Sequence, residues 1–100
     1  MVSEDTVLET IKENIIDPEI GINIVDMGLI YDVDINDTTV DITMTLTSPG
    51  CPAGGQIING AQHVTQQLDG VEEVNVNVVW NPRWNPDMMT EDARDELGIF

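Results

Sequence analysis

The chain of 100 residues has a single cysteine, little positive charge and no long apolar run. One cysteine cannot form a disulfide within the chain, so cysteine usage gives no sign of an oxidising compartment. No apolar stretch approaches the roughly 20 residues that span a bilayer, and the acidic amino terminus lacks the basic and apolar regions of a signal peptide. We therefore expect a cytoplasmic protein in which residues 1–100 form one domain.

Positive charge is scarce, because three basic residues stand against 19 acidic ones and give a formal net charge of -16. Such a surface makes nucleic acid and anionic membranes poor partners. The carboxylates are spread among regular apolar periodicities, so they do not form a disordered acidic tail. The simplest explanation is a halophile's cytoplasm, since salt of about 1 M shortens the Debye length to roughly 3 Å and screens the repulsion. Composition leaves a basic protein partner open as the alternative.

Apolar periodicity predicts six elements in the order α-β-β-α-β-α. A first helix is capped by Ser3 or Asp5 and ends at Pro18. Residues 29–35 and 39–46 alternate apolar and polar around a turn at 36–37, which predicts an antiparallel hairpin. The remaining elements are a helix over Pro52–Leu68, a strand over 74–80 and a helix over Thr90–Leu97. The class is a small two-layer α+β domain, and the direction of the third strand stays open.

The segment over residues 17–30 follows neither the helical nor the strand period. Gly21 and Gly28 predict positive φ angles there, with a short helical turn between them. Three acidic residues lie among its isoleucines and valines, where solvated carboxylates are not expected: Asp17, Glu19 and Asp26. They are candidate site residues, although Asp17 could instead pair with Lys12 or cap the following turn.

The only cysteine, Cys51, lies in the loop that joins the second strand to the second helix. Pro52 suits the first position of a helix, and that register makes Cys51 the N-cap. Unpaired backbone N–H groups and the positive end of the helix dipole then favour thiolate over thiol. Gly54 and Gly55 leave room for a bulky group near the sulfur. A reactive or metal-binding cysteine is built this way. The competing interpretation is a small buried side chain whose ionisation the acidic chain opposes.

Few other groups can assist this sulfur. His63 lies twelve residues along the same predicted helix, about 18 Å away, whereas proton transfer needs roughly 3 Å. We interpret His63 as a solvent-facing helix residue. One histidine and one cysteine cannot build a conventional zinc site, and iron–sulfur clusters usually take four thiolates. Cys51 could therefore bind iron or a cluster transiently, or share one across a homodimer, and we predict no stable site within the chain.

Both tryptophans lie in a stretch rich in turn signals, residues 80–89. Together with Met88, Trp80 and Trp84 could form an exposed docking surface for partners. Aromatic residues more often close a core, so both interpretations stand at this point.

Four motifs follow one another along the chain: Asp17-Pro18-Glu19, Ile24 to Tyr31, Leu46 to Pro52, and Pro82-Arg83-Trp84. In this order they resemble the MIP18 family, also called DUF59, over nearly the whole chain. The resemblance implies an α+β fold like that of other iron–sulfur assembly domains and a cytosolic role in iron–sulfur protein maturation. By position, the family's cysteine falls on Cys51, its loop threonine on Thr47, and its acidic positions on Asp17, Glu19 and Asp26.

The chain lacks the additional cysteines of PaaD-like members, the Cys-x-x-Cys of NifU-type scaffolds and a fused ATPase domain. The resemblance therefore favours a stand-alone, SufT-like factor. Our leading hypothesis is a non-enzymatic factor that uses the Cys51 thiolate to deliver clusters from carrier to client proteins, with Trp80 and Trp84 facing partners. A metal-free adaptor that binds the same proteins is the alternative. A thiol-dependent enzyme acting on a small metabolite is a third possibility, which the distant His63 disfavours.

Overall fold

A computed structural model describes residues 2–18, 20–47, 50 and 53–98 of the chain. The elements are α1 (Glu4–Asn14), β1 (Ile30–Asn36), β2 (Thr39–Met44), α2 (Gly54–Gln66), β3 (Glu73–Val78), a 3-10 helix (Pro86–Met88) and α3 (Glu91–Leu97). This confirms the predicted element order and the α+β class.

Helix α1 begins as predicted and ends early. Ser3, one of the two expected caps, accepts a hydrogen bond from the backbone N–H of Thr6 at 3.2 Å. The helix stops at Asn14, four residues before Pro18, because Ile15 already has an extended backbone with φ -117° and ψ 112°. The chain therefore leaves the helix and enters the segment that carries Asp17 before it reaches Pro18.

The three strands form one sheet in the order β1-β2-β3. As predicted, β1 and β2 pair antiparallel, and Asp37 in the connecting turn has a φ of 58°. Strand β3 pairs parallel with β2, with Val40 beside Val74 and Met44 beside Val78. The intervening helix α2 is the crossover that a parallel pair needs.

The two faces of the sheet differ because side chains alternate along each strand. One face contributes to the core with its most buried residues: Val33, Val40, Ile42, Met44 and Val74. The other face is polar and acidic. There Asp34 of β1 lies opposite Asp41 of β2, whose Oδ1 accepts a hydrogen bond from Asn75 Nδ2 at 3.0 Å. Opposed like charges destabilise a sheet, and salt weakens this effect.

Helix α3 covers the predicted stretch from Glu91 to Leu97, with Thr90 as its N-cap. Thr90 Oγ1 accepts a hydrogen bond from the backbone N–H of Ala93 at 3.3 Å, and Ala93 is buried. Leu97, predicted on the same side of the helix as Ala93, is 38% exposed. It lies in the last turn, just before Gly98 ends the helix with a left-handed backbone of φ 75°.

Candidate functional site

The loop that carries Cys51 connects β2 to α2. Helix α2 begins at Gly54 with Ala53 as its N-cap, two residues after the predicted start at Pro52. Ala53 is not helical, with φ -90° and ψ 1°, so the predicted N-cap register for Cys51 is wrong. The thiol itself and Pro52 lie outside the described residues.

The two ends of this loop meet at its base. A Cβ built on Gly54 would lie 2.8 Å from Leu46 Cδ1, so the first turn of α2 packs directly on Leu46, the second residue after β2. Thr47, the predicted loop threonine, directly follows Leu46 in the sequence and is half-buried. The absent side chain of Gly54 makes room for this contact between Leu46 and the first turn of α2.

The second part of the predicted site is the segment between α1 and β1. Asp17 is 1% exposed, and its backbone N–H donates to Ile22 O at 2.9 Å while its carbonyl accepts from Gly21 N at 2.7 Å. Gly21 has the predicted positive φ, at 84°. These bonds close a tight turn that buries Asp17, whereas Glu19 lies outside the described residues. Burial of Asp17 supports the prediction that it is not a solvated carboxylate.

Asp26 is half-buried in the helical turn that the sequence predicts after Gly21. Its Oδ2 accepts from Asn23 Nδ2 at 2.9 Å, and its N–H donates to Asn23 Oδ1 at 2.8 Å. Lys12 Nζ lies 3.7 Å from Asp26 Oδ1. Lys12 thus pairs with Asp26. Since Lys12 is half-exposed, the pair adds little stability.

One backbone hydrogen bond connects the two parts of the site. The N–H of Thr45, two residues before Thr47, donates to Leu29 O at 2.8 Å, at the end of the segment that carries Asp17 and Asp26. Within the ranges that the structure describes, no three His, Cys, Asp or Glu side chains are grouped as a metal ion would require. A depression of about 380 Å³ lies beside α1. It is lined by Leu8, Glu9, Lys12, Glu13 and Val25, none of which is a predicted site residue.

A feature that sequence reasoning missed is the way residues 82–90, here called the strap, cross the acidic segment. Trp84 Nε1 donates to Met27 O at 2.7 Å, and Thr90 N donates to Asp26 O at 2.8 Å. Tyr31 Oη donates to Pro82 O at 2.8 Å. The only sequence signal was the concentration of tryptophan and proline in this stretch, and it did not indicate which segment of the chain the strap contacts. The strap holds the backbone on both sides of Met27.

The two tryptophans have different surroundings. Trp84 is half-buried and packs against the core, whereas Trp80 is 44% exposed. His63 is exposed as predicted, in a shallow depression with the polar side chains Asn59, Gln62 and Gln66. Of the two tryptophans predicted to face partners, Trp80 has the more exposed side chain.

Residues 4–78 match the family described as iron-sulfur cluster assembly protein. The chain belongs to this family, DUF59. This DUF59 chain is 45% identical over 86 residues to the Fe-S protein maturation auxiliary factor SufT of Staphylococcus aureus, covering 85% of this chain and 98% of the relative. It is 43% identical over 99 residues to the Fe-S protein maturation auxiliary factor YitW of Bacillus subtilis, covering 91% and 97%. A DUF59 crystal structure from Bacillus anthracis superposes with a TM-score of 0.90 at 41% identity, covering 97% of this chain and 92% of that one.

The family match ends at residue 78, so the strap lies beyond it. The structural superposition on the Bacillus anthracis DUF59 chain nevertheless covers 97% of this chain, which includes most of the carboxyl-terminal stretch. In the described part of this DUF59 chain, no helix is both long and apolar enough to span a bilayer.

Replacing Trp84 with alanine should lower the free energy of unfolding of this DUF59 chain by about 2 kcal/mol, because it removes a half-buried ring and the hydrogen bond to Met27 O. Trp80→Ala is the matched control and should change stability by no more than about 0.5 kcal/mol. Urea unfolding followed by circular dichroism measures both. Equal losses for the two variants would contradict the assignment of Trp84 to the core.

Proposed function

We propose that the chain is a cytoplasmic maturation factor that helps iron–sulfur clusters pass from carrier to client proteins. The observation that carries this proposal is the 45% identity to a relative named for Fe-S protein maturation, 98% of whose length is covered. Coverage of this extent supports carrying over the activity of the whole relative and not of one module in a larger protein. The cluster is cargo in this proposal, so the chain needs no complete ligand set of its own.

Cys51 supplies the thiolate that touches the cargo, and Thr47, Asp17, Glu19 and Asp26 shape the surface around it. Two described contacts support this division. The Leu46–Gly54 contact closes the loop that contains Cys51, and the hydrogen bond from Thr45 to Leu29 connects that loop to the acidic segment. A single thiolate leaves the other coordination positions of iron to the carrier, the client or a small thiol. One protein ligand of this kind favours release over storage, as a transfer step requires.

Anaerobic maturation of a purified apo-dehydratase that needs a [4Fe–4S] cluster tests this function. Carrier protein loaded with cluster is kept limiting, and the recovery of dehydratase activity is followed with and without the chain. We expect a higher initial rate with the chain present. An unchanged rate, with the chain shown to be folded by circular dichroism, would contradict the function. Ovalbumin at the same concentration controls for nonspecific protection.

An adaptor that binds client and carrier without touching metal is the second candidate. It is favoured by the exposure of Trp80 and by the absence of grouped metal ligands in the described ranges. An adaptor would keep its effect on maturation when the thiol is removed and lose it when Trp80 is replaced. A delivery factor would lose its effect on maturation when the thiol is removed, so the same assay distinguishes the two candidates.

We infer that the excess of carboxylates adapts the chain to salt-rich surroundings. The pair Asp34 and Asp41 on the open sheet face is one place where low salt leaves like charges opposed. Raising KCl from about 0.1 M to about 2 M should therefore raise the midpoint of thermal unfolding, since the Debye length falls from about 10 Å to less than 3 Å. Scanning calorimetry measures the change. A midpoint that does not move, or moves down, would contradict the adaptation.

A further inference from the structure

The two outer strands of the sheet differ in what borders them. At the start of β3, side chains of α2 supply hydrogen bonds: Gln66 Nε2 donates to Glu72 O at 2.7 Å and Gln62 Nε2 donates to Val74 O at 3.3 Å. Strand β1 pairs only with β2. Among the residues that the structure describes, no hydrogen bond from outside the hairpin reaches the backbone of residues 31–36. Alternate N–H and C=O groups of β1 are therefore open to a further strand.

A groove runs beside the first half of this edge. It has a volume of about 160 Å³ and is lined by residues of α1 and β1: Glu4, Leu8, Ile30, Tyr31, Asp32 and Val33. Its lining is mixed: Leu8 and Ile30 are partly exposed and offer contact to an apolar side chain, and Glu4 and Asp32 are exposed acids at its borders. Asp34, also exposed, continues the row along β1. A segment that binds here as a strand would have apolar and charged side chains in alternation, because successive side chains of a strand point to opposite faces of the sheet.

The charges of this edge select the occupant. A second copy of the chain pairing through β1 would bring its own Asp32 and Asp34 against the same residues, and like charges opposed across strands are destabilising. Lysine or arginine at those places would instead form ion pairs. A basic extended segment is thus the complementary ligand, and basic partners are the alternative that the composition of the chain left open.

We propose that the free edge of β1 binds an extended segment of a partner protein, with alternating apolar and lysine or arginine side chains, as a fourth strand of the sheet. This is the strand-addition mode of recognition, in which backbone hydrogen bonds give affinity and alternate side chains give specificity. The interaction uses no thiol and no metal, so it stands apart from the proposed cluster delivery and can hold if that proposal fails.

The probe is a capped peptide of about ten residues, the upper length of ordinary strands, with lysine and valine alternating. Its control has proline in place of each valine, which keeps every charge and removes half of the backbone N–H donors. Affinity is measured by isothermal titration at about 0.1 M KCl with the full chain. We expect the valine peptide to bind about tenfold more tightly than the proline peptide, because the backbone bonds of an added strand are lost with proline.

Two double variants of equal net charge locate the site. Asp32→Asn with Asp34→Asn neutralises the β1 edge, whereas Asp69→Asn with Asp95→Asn removes two exposed carboxylates elsewhere. The first should weaken the valine peptide about fivefold, as expected for two exposed charge pairs, and the second by less than about twofold. Circular dichroism checks that both are folded. Because Asp34 faces Asp41, its neutralisation should not weaken the hairpin.

Amide hydrogen exchange on the same complex tests the geometry. Bound valine peptide should slow exchange at alternate amides of β1 and leave β3 unchanged. The proposal is overturned if both double variants lose affinity equally, if the proline peptide binds as well as the valine peptide, or if protection appears away from β1. It is also overturned if the chain dimerises on sedimentation and the β1 double variant strengthens the dimer, since the edge would then belong to a second copy.

Discussion

Replacing Gly28 with alanine is expected to lower the free energy of unfolding by about 4 kcal/mol, a large share of the 5 to 15 kcal/mol typical of a small domain. Gly28 has a φ of 79°, a left-handed conformation that costs a residue with a Cβ about 1 to 2 kcal/mol. A Cβ there would also fall on the backbone oxygen of Met88 and lie 2.8 Å from the Met88 carbonyl carbon. The obstacle is backbone, so no rotation of a side chain relieves it.

The clash at Gly28 should be transmitted to the strap. Met88 lies between Trp84 and Thr90, which bind the backbone of Met27 and Asp26. Moving Met88 away from Gly28 would stretch both hydrogen bonds and loosen the turn that presents the Asp26 carboxylate. We therefore expect the remaining folded molecules of Gly28→Ala to show a red-shifted tryptophan fluorescence, because Trp84 loses part of its cover.

Gly21→Ala is the control for this prediction. Gly21 has almost the same backbone angle, φ 84°, and no atom of the described residues lies within 4 Å of the position its Cβ would take. It should therefore show only the conformational cost, about 1 to 2 kcal/mol. Urea unfolding of the two variants isolates the contact with the strap as the difference between them. Equal destabilisation would mean that the strap yields without cost and does not fix the acidic segment.

Local sequence patterns were sufficient for the elements whose contacts are close in sequence. The alternation over 29–46 predicted the hairpin because its two strands are joined by a short turn, and their pairing is confirmed. Ser3 was readable as a cap since a cap bonds within its own helix. Gly21 and Gly28 were readable as left-handed positions because that property belongs to the single residue.

The contacts that position the site were not readable in this way. Trp84 and Met27 are 57 residues apart, and no periodicity states that an indole N–H will meet that carbonyl. The ion pair of Lys12 with Asp26 joins α1 to a later segment, and α1 itself ends at Asn14, four residues before the Pro18 that the sequence indicated. The register of α2 was wrong for a related reason. Pro52 and Gly54 both suit a first turn, and the packing of Leu46 on Gly54 is a tertiary contact.

Replacing Cys51 with alanine should reduce the maturation of the apo-dehydratase to the rate observed without the chain. The described contacts at the two ends of the loop do not involve the replaced side chain. The loop ends meet through Leu46 and Gly54, neither of which is altered, and Ala53 remains the N-cap of α2 without a side-chain hydrogen bond. We expect the free energy of unfolding of the variant to lie within about 1 kcal/mol of that of the natural chain, and urea unfolding distinguishes loss of the thiol from loss of folding. Delivery fails because alanine cannot ligate iron.

Cys51→Ser and His63→Ala complete the argument about the thiol. Serine keeps the size and polarity of cysteine but is a poor ligand for cluster iron, so delivery should be lost as with alanine. His63 is exposed on α2 and its replacement should leave the rate unchanged. Full maturation by both Cys51 variants would remove the thiolate from the mechanism and favour the adaptor. Loss of delivery with His63→Ala as well would instead indicate that the cysteine and the histidine act together. The position of His63 well inside α2 argues against this, because proton transfer needs about 3 Å.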